Sequence, residues 1–210
     1  APVAGPLLFV RVPQPLVPVA PARFVELTPD KANATFHGQL SLPLSDRHAD
    51  YPALALANHI FGYGANSRLM QRIREKDGLS YDVRSVMSWS AIDDNSSWEA
   101  SAIFAPQNQP KVEAAFKEEL ARSLKDGFSA AEVADAQKSL LNFRRLARAQ
   151  DPAVAGQLLN NLYLGRRFAV SQAVDEALAR LTPEQVNAAW RKYISPDKLV
   201  MGWGGDFKQP

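Results

Sequence analysis

The sequence predicts an α+β fold, in which helices pack on one face of an antiparallel or mixed sheet. The order of the patterns is the first observation: strand-like alternation comes first, then two helical segments, a hairpin, several helices and one closing strand. The second observation is that strands and helices do not alternate as βαβ, and no glycine-rich phosphate loop occurs. A length of 210 residues, with 46% hydrophobic residues, suits one large domain with a sizeable core.

The composition argues against several classes of function. The net charge is +2, and the densest basic spots are the pairs Arg144–Arg145 and Arg166–Arg167, which we predict to be solvated helix surface. Nucleic-acid binding is therefore not predicted. The absence of cysteine excludes disulfides and thiolate metal sites. No apolar run reaches the roughly 18 residues that a membrane-spanning helix needs, so no membrane span is predicted.

The first 21 residues are rich in proline, at positions 2, 6, 13, 15, 18 and 21. Proline disfavours helices and central strands, so residues 1–21 are predicted to be an interdomain linker or arm; a loose N-terminal tail is the alternative. Residues 22–210 are predicted to form a single α+β domain. The opening APVAGPLLFV has no initiator methionine and no basic segment, so we expect a processed or excised piece, and an upstream signal peptide remains compatible with it.

The next elements are two strands and a helix. Residues 23–27 and 34–42 alternate as strands around the turn Thr28-Pro29-Asp30. Asp50 is predicted to cap a helix that ends before Gly62, and residues 62–65 form a connection. The helix has a buried stripe at helical spacing: Ala53, Leu56, Ala57 and Ile60.

Residues 66–89 are predicted to form a helix, a glycine stop and a strand. Asn66 is the expected N-cap, and Gly78 is the expected left-handed residue that ends the helix. The apolar period then changes to two. Arg74, in the last helical turn, and Tyr81, early in the strand, are therefore expected to face one space. Together they would offer two hydrogen-bond donors to a carbonyl or carboxylate.

Structural alternatives exist for both residues. Tyr81 falls on the same predicted face as Leu79, Val83 and Trp89, which by itself indicates a half-buried packing residue. Arg74 by itself could serve as a salt-bridge partner or as a favourable cation at the helix C-terminus. The pattern alone does not separate these roles from a functional one.

The remaining chain forms one hairpin partner, several helices and a closing strand. The loop at residues 93–96 leads into a strand from Trp98 to Phe104. Three longer helices are predicted next: Pro110 to Gly127, then a helix that starts at the capping box of Ser129 and Glu132 and runs to about Gln150, and then Asp151 to Gly165. A short helix capped by Ser171 follows. The last predicted helix begins at a second capping box, formed by Thr182 and Gln185. Residues 199–203 form the last strand.

The sequence contains no recognisable motif of a hydrolytic centre. The histidines are His37, His48 and His59, and none has an H-x-x-E-H or H-E-x-x-H context. A catalytic zinc needs about three protein ligands, and no local cluster supplies them. There is no cysteine nucleophile and no G-x-S-x-G elbow. We therefore predict no metal site in this chain and no zinc hydrolysis by the chain alone.

The segment SRLMQRIREKDGLSYDV resembles the second-domain signature of the pitrilysin/insulinase zinc metallopeptidases, which include the mitochondrial processing peptidases. The ending LTPEQVNAAWRKYISPDKLVMGWGGDF is similar to the end of the same domain, so the likeness spans roughly residues 20 to 208. The positions of the signature that match are Ser67, Arg68, Leu69, Arg74, Glu75, Lys76, Gly78, Leu79 and Tyr81. Of these, Arg68 is expected to be structural.

The resemblance implies a C-terminal domain, or a separate non-catalytic subunit, that binds no zinc itself. It implies that Arg74 and Tyr81 contact a peptide substrate, with Tyr81 stabilising the oxyanion. Zinc would be held by the partner, which is a zinc-binding N-terminal domain or partner subunit, and the two would enclose a substrate chamber. A homodimer of such half-domains is another arrangement that the resemblance allows.

Two other functions fit the same fold. One is a non-enzymatic scaffold, and the other is a free-standing peptide-binding module. The presence of both Arg74 and Tyr81 favours the peptidase, because a scaffold has less need for either. Bacterial members of the family are often exported, so the resemblance implies the periplasm or another exported site, with the cytoplasm as the alternative.

Overall fold

Five strands form one mixed sheet, in the order β1-β5-β2-β4-β3. The computed structural model describes residues 11–207, so residues 1–10 of the predicted linker and residues 208–210 of the predicted domain lie outside it. The strands are β1 (Ala22–Leu27), β2 (Ala34–Leu42), β3 (Ser80–Ser88), β4 (Ser96–Phe104) and β5 (Val200–Gly205). The pairs β2–β4, β3–β4 and β2–β5 are antiparallel, and β1–β5 is parallel.

Helices make up the second layer. They are α1 (Tyr51–Asn58), α2 (Gln109–Lys125), α3 (Ala130–Ala147), α4 (Asp151–Leu164), α5 (Phe168–Arg180) and α6 (Pro183–Tyr193). Two π-helical segments, His59–Tyr63 and Met70–Lys76, join α1 to β3. Short 3-10 turns at Pro106–Asn108 and Pro196–Lys198 precede α2 and β5.

The sheet buries one face and leaves the other open. Along β2 every second residue is buried, and the residues between them, such as His37 and Gln39, are exposed. The buried face packs on aromatic side chains, among which Phe61 and Trp190 lie 5.0 Å apart between ring centroids. The predicted α+β fold, a mixed sheet with helices on one face, is confirmed. We call the uncovered side, which carries residues 35, 37, 39, 99, 101 and 103, the open face.

The closing strand lies between the first two strands. β1 and β2 flank the turn around Pro29, as predicted, but β5 separates them in the sheet. Asp30 takes a left-handed backbone conformation in that turn, with φ of 62°. The last strand of the domain therefore fixes the position of the first, and β1 pairs with β5 alone among the described strands.

Two predicted capping boxes are confirmed, whereas the side chains of Asp50, at the N-cap position of α1, and of Ser171 do not cap their helices. Ser129 with Glu132 caps α3, and Thr182 with Gln185 caps α6, each in reciprocal hydrogen bonds. The Asp50 side chain makes no cap; it accepts hydrogen bonds from Lys192 Nζ at 2.7 Å and from the Tyr193 hydroxyl at 2.8 Å. α5 begins at Phe168, so Ser171 lies inside its first turn.

Gly62 lies inside a helix and not in the predicted connection. It belongs to the π-helical segment His59–Tyr63 and is buried. A Cβ atom at this position would lie 2.4 Å from Ser85 Oγ and 2.7 Å from the Ser85 backbone nitrogen. Glycine is therefore required because the helix backbone approaches β3 too closely for any side chain.

The basic pairs are only partly solvated, which corrects the prediction for Arg144 and Arg166. Arg166 donates to Asp46 at 2.6 Å and to the Ala91 carbonyl at 2.7 Å, with its side chain only 13% exposed. Arg144 is paired with Asp175. These two side chains tie helices and loops together, whereas Arg145 and Arg167 are exposed as predicted.

Asn58 is a buried polar hub between α1 and the sheet. Its Oδ1 accepts hydrogen bonds from Ser85 Oγ at 2.7 Å and from Trp98 Nε1 at 2.8 Å. Its Nδ2 donates to the Ser85 carbonyl at 3.2 Å. Because these groups are shielded from water, each would be left without a partner if Asn58 were removed.

We expect Asn58→Ala to lower the free energy of unfolding by about 2 to 4 kcal/mol, since Trp98 Nε1 and Ser85 lose their acceptor in a buried site. Urea unfolding followed by fluorescence measures the change. Asn142→Ala is the control, because Asn142 is exposed and accepts only from Arg145 among the described hydrogen bonds. Equal effects of the two substitutions would contradict the role of the hub.

Candidate functional site

The helix that carries Arg74 ends at a left-handed glycine. Gly78 has φ of +60°, and its N–H donates to the Arg74 carbonyl at 3.0 Å. The next N–H, of Leu79, reaches back over the left-handed turn to the Ile73 carbonyl at 2.9 Å, which satisfies a carbonyl at the helix end. The glycine stop is confirmed. The helix starts at Arg68, one residue beyond Ser67, so the predicted N-cap at Asn66 is wrong.

A β-bulge turns Tyr81 outward. In the pairing of β3 with β4, Ser80 lies opposite Phe104 and Asp82 lies opposite Ile103, so Tyr81 is one extra residue on β3. Ser80 and Val83 are both buried, although strict alternation would place them on opposite faces. The predicted packing role, in which Tyr81 shared the buried face of Val83, is wrong: its side chain is 80% exposed.

Arg74 and Tyr81 lie side by side. The Arg74 guanidinium carbon is 5.8 Å from the centroid of the Tyr81 ring, a cation–π arrangement that connects the helix end to the strand start. Arg74 Nε is 3.6 Å from Glu75 Oε1, and its side chain is 47% exposed. Both side chains are thus open to a third molecule, and both can donate hydrogen bonds to a carbonyl or carboxylate.

Arg68, the third basic residue of the segment, is engaged inside the protein. Its guanidinium donates to Glu132 at 2.7 and 2.9 Å and to the Gly127 carbonyl at 2.7 Å. It also lies over the Phe128 ring at 4.8 Å. Burial would raise the pKa of Glu132, but hydrogen bonds from Arg68 and Ser129 outweigh it and lower that pKa to about 2. The expected structural role of Arg68 is confirmed by these contacts.

The histidines occupy separate places. His37 Nδ1 lies 2.9 Å from Glu99 Oε1 on the open face, and His59 Nε2 lies 3.2 Å from Ser139 Oγ between helices. Burial lowers the pKa of His59. His48 Nδ1 accepts from the Asp50 backbone N–H at 3.1 Å. Within residues 11–207 no three His, Asp or Glu side chains are grouped so that they would hold a metal ion, so the donors of this chain do not fit a zinc site.

A family model described as the peptidase M16 inactive domain matches residues 8–140. The chain belongs to the peptidase M16 family. It corresponds to the inactive, zinc-free domain of that family, which confirms the resemblance to the pitrilysin/insulinase-type metallopeptidases. No curated protein is similar enough in sequence to count as a relative.

Solved structures share the fold of this M16 domain. The peptidase M16 inactive domain from Pseudomonas fluorescens has a TM-score of 0.82 and 23% identity, and the match covers 96% of this chain and 47% of that one. The inactive peptidase domain of a proposed zinc protease from Bordetella parapertussis has a TM-score of 0.69 and 17% identity, over 81% of this chain and 91% of that one. The periplasmic protease PqqL from Escherichia coli has a TM-score of 0.69 and 19% identity, over 88% and 20%.

The chain spans about half the length of the first structures it matches, with 47%, 44% and 48% of their residues covered. The part of the M16 domain that the structure describes contains no helix long and apolar enough to cross a membrane. In each of these three structures, somewhat more than half of the chain lies outside the match.

One feature of the site was missed in the sequence. The apolar period predicted a regular strand from Leu79, and the bulge that redirects Tyr81 was not foreseen. Regular alternation with Leu79 and Tyr81 would place Ser80 on the polar side of the strand, but Ser80 is buried opposite Phe104. No local pattern in the sequence marks this irregularity, because the burial of Ser80 becomes visible only in the structure.

We expect Arg68→Gln to destabilise the M16 domain near neutral pH but progressively less in acid. The pKa of Glu132 is depressed to about 2 from its usual 4.5, so the contact contributes above pH 4.5 and is lost as the pH falls through about 2. The difference between the urea midpoints of wild type and variant should shrink between pH 6 and pH 2 as Glu132 is protonated, leaving only the part due to the contacts with Gly127 and Phe128. Arg74→Gln is the control and should leave the midpoint unchanged at every pH, because Arg74 is half exposed. A constant deficit for Arg68→Gln would contradict the assignment.

Proposed function

We propose that this M16 domain is the zinc-free half of a zinc metalloendopeptidase and contributes Arg74 and Tyr81 to its substrate site. The observation that carries the proposal is the exposed, adjoining arrangement of the two side chains, with the guanidinium 5.8 Å from the phenol ring. A packing role would bury Tyr81, and a purely structural arginine would be engaged as Arg68 is.

The chemistry of the pair suits a peptide in the course of hydrolysis. When a scissile carbonyl is attacked, negative charge develops on its oxygen, and a positioned donor stabilises that charge. The Tyr81 hydroxyl is the donor to this oxygen. The always-charged Arg74 holds a neighbouring substrate carbonyl and keeps the phenol in place from the side of its ring. Zinc belongs to the other half of the enzyme and supplies the hydrolytic chemistry there.

The open face of the sheet forms the wall of the chamber. Exposed polar residues follow one another across it, and His37 and Glu99 make a hydrogen-bonded pair at its centre. Tyr81 and Asp82 lie opposite Ile103, whose side chain is on this face. A peptide or an unfolded segment, bound in extended form, would lie along the face and present a carbonyl to Tyr81.

α4 provides the surface for the zinc-binding half. Val154, Gln157, Asn161 and Leu164 form a partly buried stripe along this helix, whereas four other large side chains are exposed to solvent. Leu158, Leu159, Leu162 and Tyr163 are 51%, 69%, 81% and 73% exposed, and we call these four residues the α4 patch. An amphipathic helix turned outward in this way indicates a partner, and the partner implied by the longer matched structures is the rest of an M16 peptidase.

The fold alone would also suit a scaffold without activity, and the α4 patch serves either role. The exposed pair favours the peptidase, because a scaffold does not require an arginine and a tyrosine to be held next to each other in solvent. An exported location is proposed on the precedent of the periplasmic protease PqqL, which shares the fold.

We expect Tyr81→Phe to lower kcat by about 10² to 10³ with little change in KM, since one oxyanion donor is lost. The assay is cleavage of a quenched fluorescent peptide by the enzyme assembled with its zinc-binding half. Tyr63→Phe is the control, because Tyr63 is also exposed, and its described aromatic contact is with the His59 ring at 6.0 Å. Unchanged kcat and KM for Tyr81→Phe would rule out the oxyanion role and favour the scaffold.

The double substitution Leu159→Glu with Leu162→Glu should weaken binding of the zinc-binding half by at least about tenfold, because two charges would be placed in an apolar interface. Calorimetry or co-purification measures the loss. Asn160→Glu is the control: it adds a charge to an exposed position on the same helix but outside the α4 patch. The thermal unfolding of the domain should not change. Undiminished binding by the double variant would exclude the α4 patch as the interface.

A further inference from the structure

The bulge that exposes Tyr81 is held by a buried hydroxyl. Ser80 is 7% exposed, and its Oγ lies 2.7 Å from the Asp82 carbonyl and 2.7 Å from the Ile103 carbonyl. One of these oxygens belongs to β3 just beyond the bulge, and the other belongs to β4 opposite it. The hydroxyl therefore joins the two sides of the irregularity at the position of the extra residue.

A bulge interrupts the ladder and leaves backbone groups without their regular partners. The Ser80 Oγ lies 2.7 Å from both carbonyl oxygens, so its hydroxyl is a donor shared between the two strands at the bulge. Without it, both partly shielded carbonyls would lose this hydrogen-bond contact, which would make the bulge less stable relative to a regular register. Because side chains alternate with period two, a one-residue slip would turn Tyr81 from solvent toward the helices.

We propose that Ser80 is a positioning residue for Tyr81: its hydroxyl stabilises the bulge and thereby fixes the phenol beside Arg74. The inference rests on the proposed function of Tyr81 and adds a residue that never touches substrate. Ser80 acts on catalysis only through the direction of its neighbour, because its own side chain points into the domain, opposite Phe104.

Two kinds of effect must be separated. If Ser80 only stabilises the domain, its removal lowers activity by the same factor whether or not residue 81 carries a hydroxyl. If it positions Tyr81, its removal matters only while that hydroxyl is present. A double-mutant cycle distinguishes the two, because residues that act as one unit give non-additive effects.

The experiment compares Ser80→Ala, Tyr81→Phe and the double variant with wild type, each assembled with the zinc-binding half and assayed on a quenched fluorescent peptide. We expect Ser80→Ala to lower kcat about 10- to 100-fold with KM little changed, since displacement of a reacting group by about 1 Å costs that much. In the Tyr81→Phe background the same substitution should change kcat less than twofold. Ser80→Thr, which keeps the hydroxyl, should retain most of the wild-type kcat. Equal losses in both backgrounds would overturn the inference and leave the proposed function intact.

A second measurement tests the placement of Tyr81 without catalysis. Nitration by tetranitromethane, followed by mass spectrometry of the 210-residue chain, reports the accessibility of each tyrosine. Ser80→Ala should slow modification of Tyr81 severalfold relative to Tyr163, which is 73% exposed and far from the bulge in sequence. An unchanged rate at Tyr81 would refute the positioning role. A slowed rate combined with no kinetic effect of Tyr81→Phe would refute the proposed function and retain the structural link.

Discussion

The site depends on the one-residue bulge between Ser80 and Asp82. A regular strand would place Tyr81 on the helix-covered side with Val83, where its hydroxyl would need a buried partner. The bulge instead exposes the phenol at the point where the preceding helix ends. Gly78, with its positive φ, completes the arrangement by turning the chain sharply enough for Arg74 to reach the ring. Two backbone irregularities thus create the pair.

The surroundings hold these irregularities in place. Arg72 is paired with Asp77 at the helix end and donates to Glu118 on α2 at 2.9 Å. Asn58 ties the middle of β3 to α1 and to Trp98 on β4. Arg68 is bound to Glu132 at the start of α3. Polar side chains therefore connect the segment to α1, α2, α3 and β4, while Arg74 and Tyr81 remain open.

The fold was largely predictable because its signals are local. Alternation defined β2 and β4, and the capping boxes at Ser129 and Thr182 marked α3 and α6, since each depends on residues a few positions apart. The insertion of β5 between β1 and β2 and the close approach of Gly62 to Ser85 depend on distant contacts, which no local pattern encodes. Arg74 and Tyr81 were identified by resemblance, whereas the periodicity of β3 pointed to burial of Tyr81. The exposure of the apolar side chains of α4 was equally unpredicted, because a helical pattern does not tell which side of the helix faces the domain.

The central proposal is that this M16 domain completes an active site whose metal lies in another half. Reconstitution tests it most directly: the zinc-binding half, identified by an H-x-x-E-H helix, is assayed on a peptide alone and after addition of this chain. The account predicts activity only for the mixture, and no rescue by a chain that carries both Arg74→Gln and Tyr81→Phe. Hydrolysis by this chain alone with zinc, or full activity of the zinc-binding half without it, would contradict the account.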